Sequence, residues 1–141
     1  MTKVKYRSKF EAKIADQLRS LRVSFSYESE TLKYTSPVRS GTCLDCKGTN
    51  VVKKRTYTPD FIITTKKDGR VYVEVKGRLT SRDRTKMLDV IKAHPGIRLV
   101  MILQRDNKIK GSFKYSDWLK KHSIEFYIGE VKSLCIQLGQ K

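Results

Sequence analysis

Asp60, Glu74 and Lys76 stand in the runs Tyr57-Thr58-Pro59-Asp60-Phe61 and Val73-Glu74-Val75-Lys76-Gly77, so two carboxylates and an ammonium share one short span of chain. Carboxylate oxygens are the hard ligands that Mg2+ accepts while it keeps several waters and bridges to a phosphate. Mn2+ is the other cation suited to such oxygen donors. A cation held in this way acidifies a bound water and stabilises charge on phosphoryl oxygens. An ammonium beside it can orient the attacking water, help to deprotonate it, or neutralise the transition state, and the residue types leave these roles open. The plain alternative is a cross-strand Glu–Lys ion pair with Asp60 in a turn. Pro59 before Asp60, the apolar run after it and the valines around Glu74 favour the chemical reading.

That reading depends on two strands. Residues 57–65 and 70–76 are strand-like, and Lys66-Lys67-Asp68-Gly69 between them carries the Asp-Gly signal of a hairpin. In the second strand Val71, Val73 and Val75 face one way and Tyr72, Glu74 and Lys76 the other. Glu74 and Lys76 are then neighbours on one face, about 7 Å apart along the strand, and pairing across the hairpin can bring Asp60 beside them.

Around the hairpin, residues 8–22 predict an amphipathic helix bearing Phe10, Ile14, Leu18 and Leu21, with Ser8 and Glu11 at capping-box spacing. Val23, Phe25 and Tyr27 alternate as in a half-buried strand. Ser81 is the expected cap of a second helix with Met87, Leu88 and Ile91 on its apolar face, and His94-Pro95-Gly96 stops it. The continuous apolar run 99–103 predicts a strand covered on both faces. A short helix over 116–121 around Trp118 and Leu119, a strand through Ile124, Phe126 and Ile128, and an ambiguous end bearing Leu134 and Leu138 complete the chain. The order α-β-β-β-α-β-α-β implies an α/β fold with a mixed central sheet flanked by helices. All 141 residues form one expected domain, in which 35–54 is a polar, turn-rich insert.

Thirty-one Lys and Arg against fourteen Asp and Glu give a net charge of +17. The commonest partner for such a field is a polyanion, with a merely basic structural protein as the alternative. Lys3, Lys5 and Arg7 form a basic arm, and Arg78, Arg82, Arg84 and Lys86 follow the catalytic strand. Either cluster can hold phosphates without reading bases, or be an ordinary solvated face. No apolar run approaches the roughly 18 residues of a membrane helix, and no apolar segment follows the charged start as in a signal peptide. A cytoplasmic protein without membrane partners is the expectation, and three cysteines suggest no disulfide framework.

Several segments together resemble the PD…ExK nuclease superfamily and, more closely, the endonuclease I family of T-odd bacteriophages. They are Arg7-Ser8-Lys9-Phe10-Glu11, Phe25-Ser26-Tyr27-Glu28, Tyr57-Thr58-Pro59-Asp60-Phe61 and Val73-Glu74-Val75-Lys76-Gly77. Lys92-Ala93-His94-Pro95, Lys110-Gly111-Ser112 and residues 118–126 follow in order. The resemblance covers most of residues 7–127 and implies a restriction-endonuclease-like core in an intertwined homodimer. It also implies a centre of Glu11, Asp60, Glu74 and Lys76, with Glu11 supplied by the partner protomer. The implied activity is paired, Mg2+-dependent nicking of four-way (Holliday) DNA junctions, chosen by shape, in the cytoplasm of a phage-infected or prophage-carrying bacterium. As a cap partner at the start of the first helix Glu11 has a second sufficient explanation, compatible with the first. A mismatch or repair nickase, or a junction-binding protein without catalysis, are the alternatives.

The insert carries Cys43-Leu44-Asp45-Cys46, the spacing of a zinc knuckle, but a structural zinc site needs four ligands and the chain has no second pair. This is also where the chain departs from the family's pattern, and the resemblance puts the segment at the bridge between protomers. Cys43 and Cys46 of both chains are therefore expected to share one Zn2+, against a local disulfide or free thiols.

Overall fold

The computed structural model describes residues 5–37, 52–65 and 69–138. It opens with helix α1 (Lys9–Ser20), where the Ser8 hydroxyl accepts the Glu11 N–H. The reciprocal half of the expected capping box is not made. The Glu11 carboxylate instead takes the Arg7 N–H at 3.3 Å, one residue earlier.

Five strands form the main sheet: β1 (Phe25–Tyr27), β4 (Phe61–Thr65), β5 (Gly69–Lys76), β6 (Arg98–Leu103) and β9 (Glu125–Ile128), adjacent in that order. The first three run antiparallel, whereas β5, β6 and β9 are parallel. The sheet therefore changes character at β5, its central strand. Parallel neighbours need a crossover, and helix α2 (Ser81–Ala93) supplies the one from β5 to β6. The link from β6 to β9 holds a small hairpin, β7 (Lys108–Lys110) with β8 (Phe113–Lys114), then helix α3 (Tyr115–Lys121). Helix α4 (Lys132–Gln137) settles the ambiguity of the chain's end.

Two apolar cores lie on the two faces of this sheet. Phe10, Ile14 and Leu18 of α1 and Leu134 of α4 pack with Val71, Val73 and Val75. Met87 and Val90 of α2 and Trp118 and Leu119 of α3 pack with Tyr72, Leu99 and Met101. The alternation expected of β5 is thus realised, and β6 is covered on both sides as its unbroken apolar run requires.

Three local expectations need correction. Residues 57–65 are not one strand: β3 (Val52–Tyr57) ends at Tyr57, and the chain bends at Asp60 before β4. Continuing the β4–β5 register beyond Phe61↔Val73 would set Pro59 opposite Val75, and proline has no N–H for the ladder. Second, β3 pairs with β2 (Leu32–Pro37) as a separate ribbon, where the sequence offered only polar, turn-forming residues from 35 onward. The ribbon rests on α2, and the His94 ring at the end of that helix lies 2.7 Å from the Lys33 carbonyl. Third, α2 is capped by Thr80 rather than Ser81, because Thr80 and Asp83 satisfy each other's backbone in a complete capping box.

Candidate active site

Asp60 sits at the bend between β3, in the separate ribbon, and the start of β4 in the main sheet. Its Oδ2 accepts the Val75 N–H at 2.8 Å, so that N–H has a partner although β4 begins only at Phe61. Its carbonyl accepts the Glu28 N–H at 3.0 Å. The side chain is thereby fixed beside the end of β5, where Glu74 and Lys76 project on the α2 face.

Glu74 is only 6% exposed, and its two oxygens have different partners. The Tyr57 hydroxyl donates to Oε1 at 2.8 Å, and the Lys76 ammonium lies 3.3 Å from Oε2. Lys76 Nζ is also 3.3 Å from Asp83 Oδ1, on the first turn of α2. Lys86 reaches back over the Tyr57 ring, 5.3 Å from its centre. The structure therefore brings Asp60, Glu74 and Lys76 together and adds Tyr57 and Asp83, to which the sequence reading gave no role.

Burial, and next the Glu74 charge, raise the Asp60 carboxyl from an ordinary 3.8 to about 8. Burial likewise raises Glu74, opposed by Lys76 and by the Tyr57 hydroxyl. For Lys76, burial pulls the ammonium down, but Glu74 and then Asp83 outweigh it and hold the group above its usual value. Two carboxylates pressed together out of water favour a proton or a cation between them.

Glu11 is buried on α1, where its Oε2 accepts the Tyr27 hydroxyl at 2.6 Å. Its charge reaches Asp60 within the same chain and adds to the upward push on that carboxyl. Glu28, which takes a left-handed backbone (φ 49°), joins this group through an ion pair to Arg7 at 2.8 Å. Arg7 of the basic arm is thus engaged at the site, while Lys5 is exposed. Arg78 and Arg82 are exposed beside the catalytic strand. Arg84, by contrast, turns inward to donate to the Leu79 carbonyl at 2.6 Å, and Lys86 is half-buried on Tyr57. Lys3, Cys43 and Cys46 lie outside the described residues.

Among the described residues no three His, Cys, Asp or Glu side chains form a group that could hold a metal alone. Mg2+ does not require one: it takes one or two carboxylates and completes its shell with waters and substrate phosphate. The Glu74 charge is part of what raises Asp60, a repulsion that a bound cation would relieve.

A mixed α/β sheet carrying buried carboxylates and an ammonium where its central strand ends is an arrangement suited to hydrolysing a phosphate ester. Comparison with known proteins sharpens this class. The family model for phage endonuclease I matches residues 1–131. Endonuclease I of Escherichia phage T7 is 33% identical over 124 residues, which span 86% of this chain and 71% of that protein. Endodeoxyribonuclease 1 of Enterobacteria phage T3 is 33% identical over 124 residues, 86% of this chain and 70% of its own length. The chain belongs to the phage endonuclease I family, and it is a nuclease. No described helix is long and apolar enough to cross a membrane.

Proposed function

We propose that this protein is a Mg2+-dependent DNA endonuclease that resolves four-way junctions by paired nicks, working as an intertwined homodimer with a restriction-endonuclease-like core. The observation that carries the proposal is the meeting of Asp60, Glu74 and Lys76 where β4 begins and β5 ends. Asp60 and Glu74 present the oxygens that would hold the cation, and Glu11 adds a third negative charge nearby. When bound, Mg2+ (or Mn2+) would acidify a water and neutralise charge growing on the phosphoryl oxygens. Lys76, kept charged by its carboxylate neighbours, donates its protons towards the phosphate or the attacking water. Tyr57 occupies one oxygen of Glu74 and so orients the other.

Arg78 and Arg82, exposed just beyond β5, would take backbone phosphates near the scissile bond. Lys3 and Lys5 would extend that grip, and Arg84 and Lys86 would support it from within. In an intertwined dimer the contact of Glu11 with the site is made from the partner instead of within one chain, and two joined centres would suit paired nicks. Cys43 and Cys46 of the two protomers are proposed to share one structural Zn2+. The natural setting of this activity is the cytoplasm of a phage-infected bacterium.

The test is cleavage of a labelled four-way junction and a matched linear duplex by wild type and Lys76→Ala, each in Mg2+ and in EDTA. Selective, metal-dependent paired nicking that Lys76→Ala abolishes is expected. Equal cutting of both substrates would point to a repair-type nickase, and tight binding without cutting to a non-catalytic junction binder.

A further inference from the structure

We infer that Asp83 is a positioning residue that holds the Lys76 ammonium at the reacting phosphate. The inference rests on the proposed role of Lys76 and extends the centre to a fifth side chain on a different element. Lys76 ends a flexible four-carbon stem, and ordering such a side chain has an entropic cost. Its two acceptors are equidistant, Glu74 Oε2 and Asp83 Oδ1 each at 3.3 Å. Glu74 is a poor anchor during the reaction, because a cation drawn to the carboxylates competes for the same oxygen. Asp83 has no such duty, so its grip persists when the site is loaded.

Asp83 is also unusually well held for this task. Its Oδ2 accepts the Thr80 hydroxyl at 2.8 Å and the Thr80 N–H at 3.1 Å, while its own N–H donates to Thr80 Oγ1 at 3.1 Å. One oxygen therefore fastens the carboxylate to the helix start, and the other is left for Lys76. The connecting turn is short, seven residues from Lys76 to Asp83, and is pinned by the fully buried Leu79. Both side chains are only about one-quarter exposed (26% and 23%), so the pair is shielded from the solvent that makes surface ion pairs weak.

The division of labour between the two oxygens supplies the test. Asp83→Asn keeps an oxygen for the Thr80 cap but can turn a donor towards Lys76. Thr80→Ala weakens the cap and spares the Lys76 contact. Single-turnover cleavage at saturating enzyme, junction Kd and Tm would be measured for both, for Lys76→Ala and for the double variant Lys76→Ala/Asp83→Asn. Asp83→Asn should slow cleavage on the order of 10- to 100-fold, as loss of a supporting side chain does around other reactive groups, with Kd near wild type and the protein still folded at the assay temperature. Thr80→Ala should lower Tm, because a cap contributes to stability, and should slow cleavage less than Asp83→Asn does, because the Thr80 N–H still holds Asp83 Oδ2. The double variant should be no slower than Lys76→Ala, the non-additivity expected when one residue acts through another. An Asp83→Asn rate near wild type beside an inactive Lys76→Ala would overturn this inference alone, as would equal rate losses in Asp83→Asn and Thr80→Ala. Normal cleavage by Lys76→Ala would overturn the proposed role of Lys76, and this inference with it.

Discussion

Replacing Asp60 with asparagine removes a charge yet keeps an oxygen for the Val75 N–H, so the variant isolates the electrostatic cost of the site. The folded-state carboxyl is raised to about 8, against an ordinary 3.8, by burial first and the Glu74 charge second. Below the lower value the group is protonated whether the chain is folded or not, and it contributes no pH dependence. Between the two values the unfolded chain gives up the proton while the folded chain keeps it, so stability falls as pH rises. Each unit is worth about 1.36 kcal/mol, so from about pH 5 to about pH 8 the wild type should lose on the order of 4 kcal/mol relative to Asp60→Asn. Glu74 adds a slope of the same sign. Urea unfolding of both proteins in EDTA across that range reads the difference. A gap between the two that stays flat with pH would refute the reasoning, since no proton would then be linked to folding through Asp60.

In the same assay at about pH 8, Mg2+ should stabilise wild type and leave Asp60→Asn nearly unmoved, because a ligand of the folded state raises stability only where it binds. Tyr57→Phe leaves one oxygen of the buried Glu74 without its donor and should cost about 1.5–3 kcal/mol by denaturant titration, with a fall in cleavage rate beyond what partial unfolding explains. Leu18→Ala, at a fully buried position between α1 and the sheet, should cost about 2–5 kcal/mol by the same titration without changing the single-turnover rate of the folded fraction. Elemental analysis of the purified protein should find one zinc per two chains; no zinc, or an intact dimer of Cys43→Ser, would remove the shared site.

Much of the sheet was legible because its strands obey simple periods. Val71, Val73 and Val75 alternate, and residues 99–103 do not, which separated a two-faced strand from one buried on both sides. Asp60, Glu74 and Lys76 could be grouped for the same reason, since a period of two and a short hairpin leave little freedom. The β2–β3 ribbon was not legible. Its residues are mostly polar and Lys-rich, and its pairing is set by the register of two distant segments, not by a local pattern. Tyr57 and Asp83 were missed because each has an ordinary local explanation, a strand aromatic and a helix-start acid. Only the three-dimensional approach to Glu74 and Lys76 gives them another meaning. The Thr80 cap could have been found from Asp83 three residues later, had that pair been weighed against Ser81.

The placement of the candidate centre on β5 has a consequence for how such a nuclease can change. This strand has hydrogen-bonded neighbours on both sides, and its valines are part of a core that also holds α1 and α4. A mutation that shifted the backbone of Glu74 or Lys76 would have to move the middle of the sheet. The ribbon of β2 and β3 and the hairpin of β7 and β8 belong to separate two-stranded sheets and carry exposed lysines. Apart from Tyr57, which ends β3 and holds Glu74, those outlying pieces can vary in charge while the reacting groups stay where they are. Novelty in what this protein grips should therefore accumulate at its edges, while how it cuts is inherited nearly intact.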